Sequence, residues 1–392
     1  MITKYYICIK FMIMILRQLE QIIERHLFKN KTVVIFGARQ VGKTTLVNHL
    51  ISKLELKYLV LNGDDADIRE LFTNATSSRF KPVLAGNDLL VVDEAQRIPE
   101  AGLGLKIIHD NFKNTQVIVT GSSSLDLASK ISEPMTGRKY EFFLHPLSFS
   151  ELVGYHGFLS ERRMLEHRLV FGSYPDVVMN EGNEARILKT LASDFLYKDI
   201  LTIGNIKKPA LLEKLLKALA LQLGNEVSYN ELAQLLDSDK GTIEKYIDLL
   251  EKSYIIFRLP GLNRNVRNEI KNGRKIYFHD NGIRNAVLGN FLPLSSRVDT
   301  GALWENYLIS ERFKIISNLD NVPQRFFWRT TQKQEIDYIE ELDDKLSVYE
   351  FKWNPARRAF ISKTFSGNYK VSEFKVITPD NYQEFLTLAA EP

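Results

Sequence analysis

One stretch of the chain, Gly37-Ala38-Arg39-Gln40-Val41-Gly42-Lys43-Thr44-Thr45, spaces two glycines, a lysine and two hydroxyls as a phosphate-binding loop requires. Gly37 and Gly42 allow backbone turns that a Cβ would hinder, and a helix beginning at Thr44 would aim its N-terminal dipole at an anion. Lys43 would then reach the β- and γ-phosphates of a nucleoside triphosphate, Thr44 would ligate Mg²⁺, and Thr45 would sit near the α-phosphate. Further along, Leu89-Leu90-Val91-Val92 is followed by Asp93-Glu94. Four apolar residues place Asp93 at the open end of a buried strand, where it can hold Mg²⁺ through water. Glu94 is then positioned as the general base that orients the attacking water. Together the two motifs describe a site that binds ATP with Mg²⁺ and hydrolyses it.

Two less specific features accompany that site. Val117-Ile118-Val119 leads into Thr120-Gly121-Ser122. In a parallel sheet this tip lies beside that of Asp93, so Thr120 or Ser122 could touch the γ-phosphate or the lytic water; the alternative is an ordinary strand cap. Arg138 could serve as an arginine finger, in cis or from a neighbouring copy, with a surface arginine as the alternative.

A second set of chemical groups lies near the C-terminus. Asp337 ends one strand-like run, and Glu350-Phe351-Lys352 ends the next, with Glu350 and Lys352 on the same face. Glu305, on a preceding helix, could add a further ligand. This resembles the PD-(D/E)XK nuclease pattern, in which carboxylates bind Mg²⁺ and the lysine helps activate water for phosphodiester attack. The alternative is a buried charge network without catalytic use. Between the two sets, Arg264, Arg267, Lys271, Arg274 and Lys275 stand against a lone Glu269. That loop is the best candidate for nucleic-acid phosphate contacts, DNA before RNA, with protein contacts as the alternative.

The elements that must position these groups can be read from apolar periodicity. Short buried strands are expected at residues 32–36, 58–61, 89–92, 117–120 and 141–144, alternating with helices, which predicts an α/β parallel sheet covered on both faces. Helices follow to about residue 206. Three amphipathic helices (211–223, 229–236, 242–252) and two strands (254–259, 275–278) then describe a winged helix. A helix at 303–314 and strands at 325–328, 335–340, 346–352 and 375–377 complete a small α/β domain. The expected boundaries are 1–15 as an apolar extension, 16–147 as the ATPase core, 148–208 as a helical lid, 209–290 as the winged helix and 291–392 as the nuclease-like domain.

Composition sets the frame. The 392 residues are 44% hydrophobic and 26% charged, as in a soluble globular protein of two or three domains. A single cysteine, Cys8, excludes a disulfide framework, and seven scattered histidines offer no zinc spacing. The net charge of +4, from 52 basic and 48 acidic residues, permits nucleic-acid contact without arguing for it. Residues 5–16 are apolar apart from Lys10, too short a run to span a bilayer, which takes roughly 17–25 residues. They read as a frayed extension from a start codon upstream of Met12 or Met14, without stable membrane insertion, on a cytoplasmic protein.

The combination resembles a family of bacterial and archaeal AAA-type P-loop ATPases that carry a winged helix and a C-terminal domain of uncharacterised function. The residues that carry the resemblance are Gly37 to Thr45, Val92-Asp93-Glu94-Ala95-Gln96, Thr120-Gly121-Ser122-Ser123 and Gly137-Arg138. They continue with Leu144-His145-Pro146-Leu147-Ser148-Phe149-Ser150-Glu151, Gly172-Ser173-Tyr174-Pro175, Tyr246 to Glu251 and Lys275 to Gly282. The resemblance implies an additional-strand, catalytic-glutamate core, with the strand at 58–61 falling between the two nucleotide motifs. It leaves the biological role, protein partners and homo-oligomerisation open.

Overall fold

The computed structural model describes residues 14–121, 131, 133–194, 200, 206, 208–263, 273–330 and 332–387. Most of the apolar N-terminal stretch therefore lies outside the described residues, as do Ser122, Arg264, Arg267 and Lys271. The frayed extension was expected to reach residue 15, yet Ile15 is buried against Leu147, Leu152 and Val178.

Thr32–Phe36, TVVIF, has no polar face, which suits a strand covered on both sides. It forms β1, buried throughout. The first region runs α1 (Gln18–His26), β1, α2 (Lys43–Lys53), β2 (Tyr58–Asn62), α3 (Ala66–Thr73), α4 (Ser77–Leu84), β3 (Leu89–Asp93), α5 (Ala101–Asn111), β4 (Gln116–Gly121) and β5 (Lys139–Phe143). The five strands are parallel, in the order β2-β3-β4-β1-β5. Alternation divides β1 between two cores: Val33 and Ile35 join one, Val34 and Phe36 the other.

Two expectations change here. The strand at 58–61 does separate the motifs in sequence, but in the sheet β4 stands between β1 and β3. β2 is the outer edge, with Tyr58 53% and Val60 46% exposed, so it is not the buried strand that its apolar sequence suggested.

Among the described residues, five helices follow before Pro209: α6 (Phe149–His156), α7 (Phe158–Arg163), α8 (Leu165–Phe171), α9 (Pro175–Met179) and α10 (Glu184–Asp194). α6 opens on a capping box in which Ser148 and Glu151 satisfy each other's backbone N–H groups. Next come α11 (Pro209–Leu221), α12 (Tyr229–Leu235), α13 (Lys240–Lys252), the antiparallel pair β6 (Ile256–Pro260) and β7 (Arg274–Phe278), and α14 (Asn281–Leu288). Between α11 and α12, Glu226 forms an isolated antiparallel bridge with Lys275, and Val227 N–H donates to Arg274 O at 2.8 Å, beside β7.

The C-terminal region has α15 (Thr300–Ile316), β8 (Gln324–Arg329), β9 (Glu335–Leu342), β10 (Lys345–Phe351), α16 (Lys363–Asn368), β11 (Val371–Ile377) and α17 (Tyr382–Phe385). Its sheet order is β11-β10-β9-β8; the first three strands in sequence form an antiparallel meander, and β11 returns parallel to β10.

The regions are joined by specific polar contacts. Leu262 N–H donates to Phe327 O at 2.7 Å, which sets the end of β6 against β8. The Asn318 side chain, just beyond α15, accepts from Phe143 N–H at 2.9 Å and donates to Phe143 O at 2.8 Å, capping the open edge of β5. Among the described residues, no helix is long and apolar enough to cross a membrane.

Candidate active site

At the C-terminal end of β1 the chain turns through residues 37–42 and enters α2 at Lys43. Gly37 is required by crowding, since a Cβ there would lie 2.2 Å from Leu144 O. Gly42 is required by conformation, with φ of 95°. The Lys43 ammonium is folded over the loop and donates to Gly37 O at 2.9 Å and Ala38 O at 2.8 Å.

The neighbouring strand tips complete the site. The Thr44 hydroxyl donates to Asp93 Oδ2 at 3.0 Å, and the Thr120 hydroxyl, on the tip of β4, donates to Asp93 Oδ1. Glu94 follows in the left-handed region, φ 51°, with its N–H on Asp93 Oδ1 at 3.1 Å. That turn is possible because Gly63 lies beneath it, where a Cβ would come 2.4 Å from Glu94 O. The Gln96 side-chain amide donates to the Glu94 carboxylate. Hydroxyl and carboxylate oxygens at one strand end suit a hard cation such as Mg²⁺, so Thr44 and Asp93 fit the metal the loop implies.

Arg17 is a site residue that the sequence reading missed. Buried at the start of α1, it donates to Val41 O at 2.6 Å, to His145 O at 2.6 Å and to Glu151 Oε1 at 3.0 Å. It thus ties the phosphate loop to the segment after β5, where His145 Nε2 meets the Ser317 hydroxyl at 2.9 Å. A lone arginine ahead of an amphipathic helix carries no sequence signal for such a role, because its three partners come from distant positions.

Arg138 does not join the site within this chain. It precedes β5, its carbonyl accepts from Thr32 N–H at the start of β1, and its guanidinium pairs with Asp110 at 3.0 Å. That end of the strands is opposite the phosphate loop, so the cis arginine finger is not what the geometry provides.

The C-terminal carboxylates gather, but in the company of the chain's own lysines. Lys352 Nζ lies 2.6 Å from Glu350 Oε2 and 3.4 Å from Asp337 Oδ2, and Asp337 Oδ2 also accepts from Phe351 N–H at 2.8 Å. Burial, then the charge on Asp337, push Glu350 up to about 7 against the pull of Lys352. Glu305 instead accepts from Lys275 Nζ at 3.0 Å and from Tyr277 OH at 2.6 Å. Burial raises its pKa, and Lys275 opposes that rise. Among the described residues, no group of three or more His, Cys, Asp and Glu side chains is arranged to hold a metal ion. Of the expected ligand set, Asp337 and Glu350 thus meet at Lys352, while Glu305 is held by Lys275 and Tyr277 and still feels the charge of Asp337.

The same lysine corrects part of the expected nucleic-acid surface. Lys275 is 1% exposed and pairs with Glu335 at 2.5 Å as well as with Glu305. Burial works against its charge, but Glu305, Glu335 and Asp337 outweigh it and hold its pKa above the usual lysine value. Arg274 lies over the Tyr229 ring, 4.4 Å from its centre. Lys275 is therefore not offered to a phosphate backbone, whereas Arg274 stays half-exposed.

Comparison with known proteins agrees with the first site. Residues 29–153, which contain the phosphate loop, Asp93 and Glu94, match the family described as AAA domain. Residues 162–293 and 300–384 match two domains of unknown function, DUF8612 and DUF4143. An uncharacterized protein of Mycobacterium tuberculosis is 27% identical over 338 residues, covering 84% of this chain and 72% of that protein. Another, from Methanocaldococcus jannaschii, is 25% identical over 343 residues, covering 81% and 74%. Among solved structures, the Walker-type ATPase paby2304 of Pyrococcus abyssi aligns with a TM-score of 0.49 and 14% identity, over 70% of this chain and 96% of that one. The first region, a parallel sheet with a phosphate loop, thus matches the model of an AAA domain over residues 29–153.

Proposed function

We propose that the chain is a Mg²⁺-dependent ATP hydrolase whose nucleotide state repositions its two C-terminal regions, and that these act on nucleic acid. The observation that carries the hydrolase reading is the 3.0 Å hydrogen bond from Thr44 to Asp93, which brings the two nucleotide motifs to one point. Lys43 leaves its loop carbonyls for the β- and γ-phosphates, which accept a charged donor more strongly than a neutral carbonyl does. Thr44 and Asp93 hold the cation that neutralises developing phosphate charge. Glu94 takes the proton of the attacking water, with Gln96 fixing the direction of its carboxylate and Thr120 that of Asp93.

The order of three helices and a hairpin over α11 to β7 supports reading that region as a winged helix. The succession α15-β8-β9-β10-α16-β11, with Asp337 on β9 and Glu350 on β10, supports a PD-(D/E)XK-like domain. A second reading, a nucleotide-switched interaction protein with inert carboxylates, is favoured by the lysines that already pair with them.

The hydrolase is tested by nucleotide binding and turnover. Lys43→Ala is expected to abolish binding, while Glu94→Gln keeps binding and loses turnover; turnover that survives Glu94→Gln refutes the assigned base. Stimulation of turnover by DNA or RNA separates the two readings of the C-terminal regions, and its absence favours the interaction protein.

A further inference from the structure

The sequence pointed to the hairpin loop for nucleic-acid contact, but Lys275 is buried there, and Arg264, Arg267 and Lys271 lie outside the described residues. A different segment carries the features that a strand-binding surface needs. Residues 352–370, from the end of β10 to the start of β11, contain Lys352, Arg357, Arg358, Lys363 and Lys370 and no acidic residue. Arg357, Arg358, Lys363 and Lys370 are exposed, as is Lys333 on the turn between β8 and β9. Amid them Phe360 is 80% exposed.

The loop is pinned from below, which is why these side chains face out. Ile361 packs into the small core of Leu262, Trp328, Ile336 and Phe365. The Ser362 hydroxyl donates to Gln334 Oε1 at 2.7 Å, tying the loop to the turn that bears Lys333. Nearer its start, the Asn354 side chain accepts from Ala356 N–H at 3.0 Å. With Ile361 drawn inward, its neighbour Phe360 projects away from the core at almost full exposure. The loop leaves directly from Lys352, whose ammonium bridges Asp337 and Glu350.

We infer that the loop between β10 and α16 is a docking surface for a single nucleic-acid strand, which Arg357, Arg358, Lys363 and Lys333 hold by its phosphates while a base stacks on Phe360. An exposed aromatic ring flanked by exposed cations is the combination that single strands use, because every base offers a π-face and every nucleotide a charge. A duplex offers only the charge, since its bases are already stacked. The inference rests on reading the C-terminal region as directed at nucleic acid, and it names the surface and the kind of strand.

The test uses the full chain and a fluorescein-labelled oligothymidylate of about 20 nucleotides, with affinity followed by anisotropy across a salt series. Wild type is expected to bind with a steep salt dependence. Arg357→Glu with Arg358→Glu should weaken binding about tenfold or more and lower the salt slope by about 1.4, roughly 0.7 for each phosphate that an arginine neutralises on a single strand in the wild type. Phe360→Ala should weaken it about fivefold to tenfold with the slope unchanged, since stacking releases no counterions. Basal ATP turnover, read in parallel, should be unaltered in both variants, which shows that each is folded. Equal binding by wild type and the charge-reversal variant overturns the inference, as does no binding by wild type at low salt. So does a strand displaced fully by polyglutamate with Phe360→Ala without effect, which would mark the loop as a surface for an acidic protein. Failure of wild-type ATP turnover counts against the hydrolase alone, whereas failed binding with turnover intact counts against this surface alone.

Discussion

The two carboxylate sites of this protein differ in what their lysines do. At the phosphate loop, Lys43 donates to main-chain carbonyls, while Asp93 is met by the hydroxyls of Thr44 and Thr120. Incoming phosphate and cation can replace all of these with stronger partners. In the C-terminal region, Lys352 sits on Asp337 and Glu350, and Lys275 sits on Glu305 and Glu335. Each of those lysines is an ionic partner already in place, shared between two carboxylates. The presence of acids and lysines does not make a site; the competition among their partners does.

The largest effect that would test this contrast is on ATP turnover. Glu94→Gln should lower it by about 10²–10⁴-fold, the usual contribution of a general base, while Glu350→Gln leaves it unchanged. Steady-state phosphate release reads both. A comparable loss in Glu350→Gln would mean that the two sites are coupled in a way their partners do not suggest.

Stability should show the reverse order. Removing Lys275 leaves Glu305 and Glu335 without their buried counter-charge, so Lys275→Ala should cost about 3–5 kcal/mol in urea unfolding. Lys43→Ala gives up two buried bonds to neutral carbonyls and strands no carboxylate beside it on those bonds, so it should cost less, about 1–3 kcal/mol. Equal losses would show that Lys275 is replaceable and that the C-terminal cluster is more open than its geometry indicates.

A smaller effect is expected at Arg17, which belongs to neither set and supports the first. Arg17→Ala removes the donor that holds Val41 O, so nucleotide affinity should fall about tenfold, measured by fluorescent-nucleotide titration. Unchanged affinity would restrict Arg17 to holding α1 in place.

How much of this was legible in the sequence follows from where each group's partners lie. Lys43 and Thr44 are set by one contiguous turn whose glycines are visible as letters, and the apolar run before Asp93 marks its strand end. Those residues could be placed from spacing. The strands and helices were also readable, within a few residues, because apolar periodicity marks them. The fate of Lys275 was not, because it is decided by Glu305 on α15 and Glu335 on β9, and no local pattern couples those positions to β7. The edge position of β2 was hidden for a related reason: an edge strand with apolar residues on its open face reads like a central one. Phe360 and its arginines drew no attention because a loop acquires meaning only when Ile361 is seen to anchor it.

The finest test of the contrast is the pH dependence of stability. Burial and Asp337 raise Glu350 from 4.5 in the unfolded chain to about 7 in the fold. The folded state therefore holds its proton more tightly, and the stability linked to that proton is fully present below about 4.5. It is lost as pH rises towards 7 and is flat beyond, because both states are then ionised. Urea midpoints of wild type and Glu350→Gln should diverge across that window, wild type falling relative to the variant. Lys352→Met sharpens the point. Lys352 pulls Glu350 down, so without it the upper end of the window should move above 7, and the loss should continue into more alkaline solution. A window unmoved by Lys352→Met would mean that the ammonium does not neutralise Glu350, and the difference drawn between the two sites would fail at its closest pair.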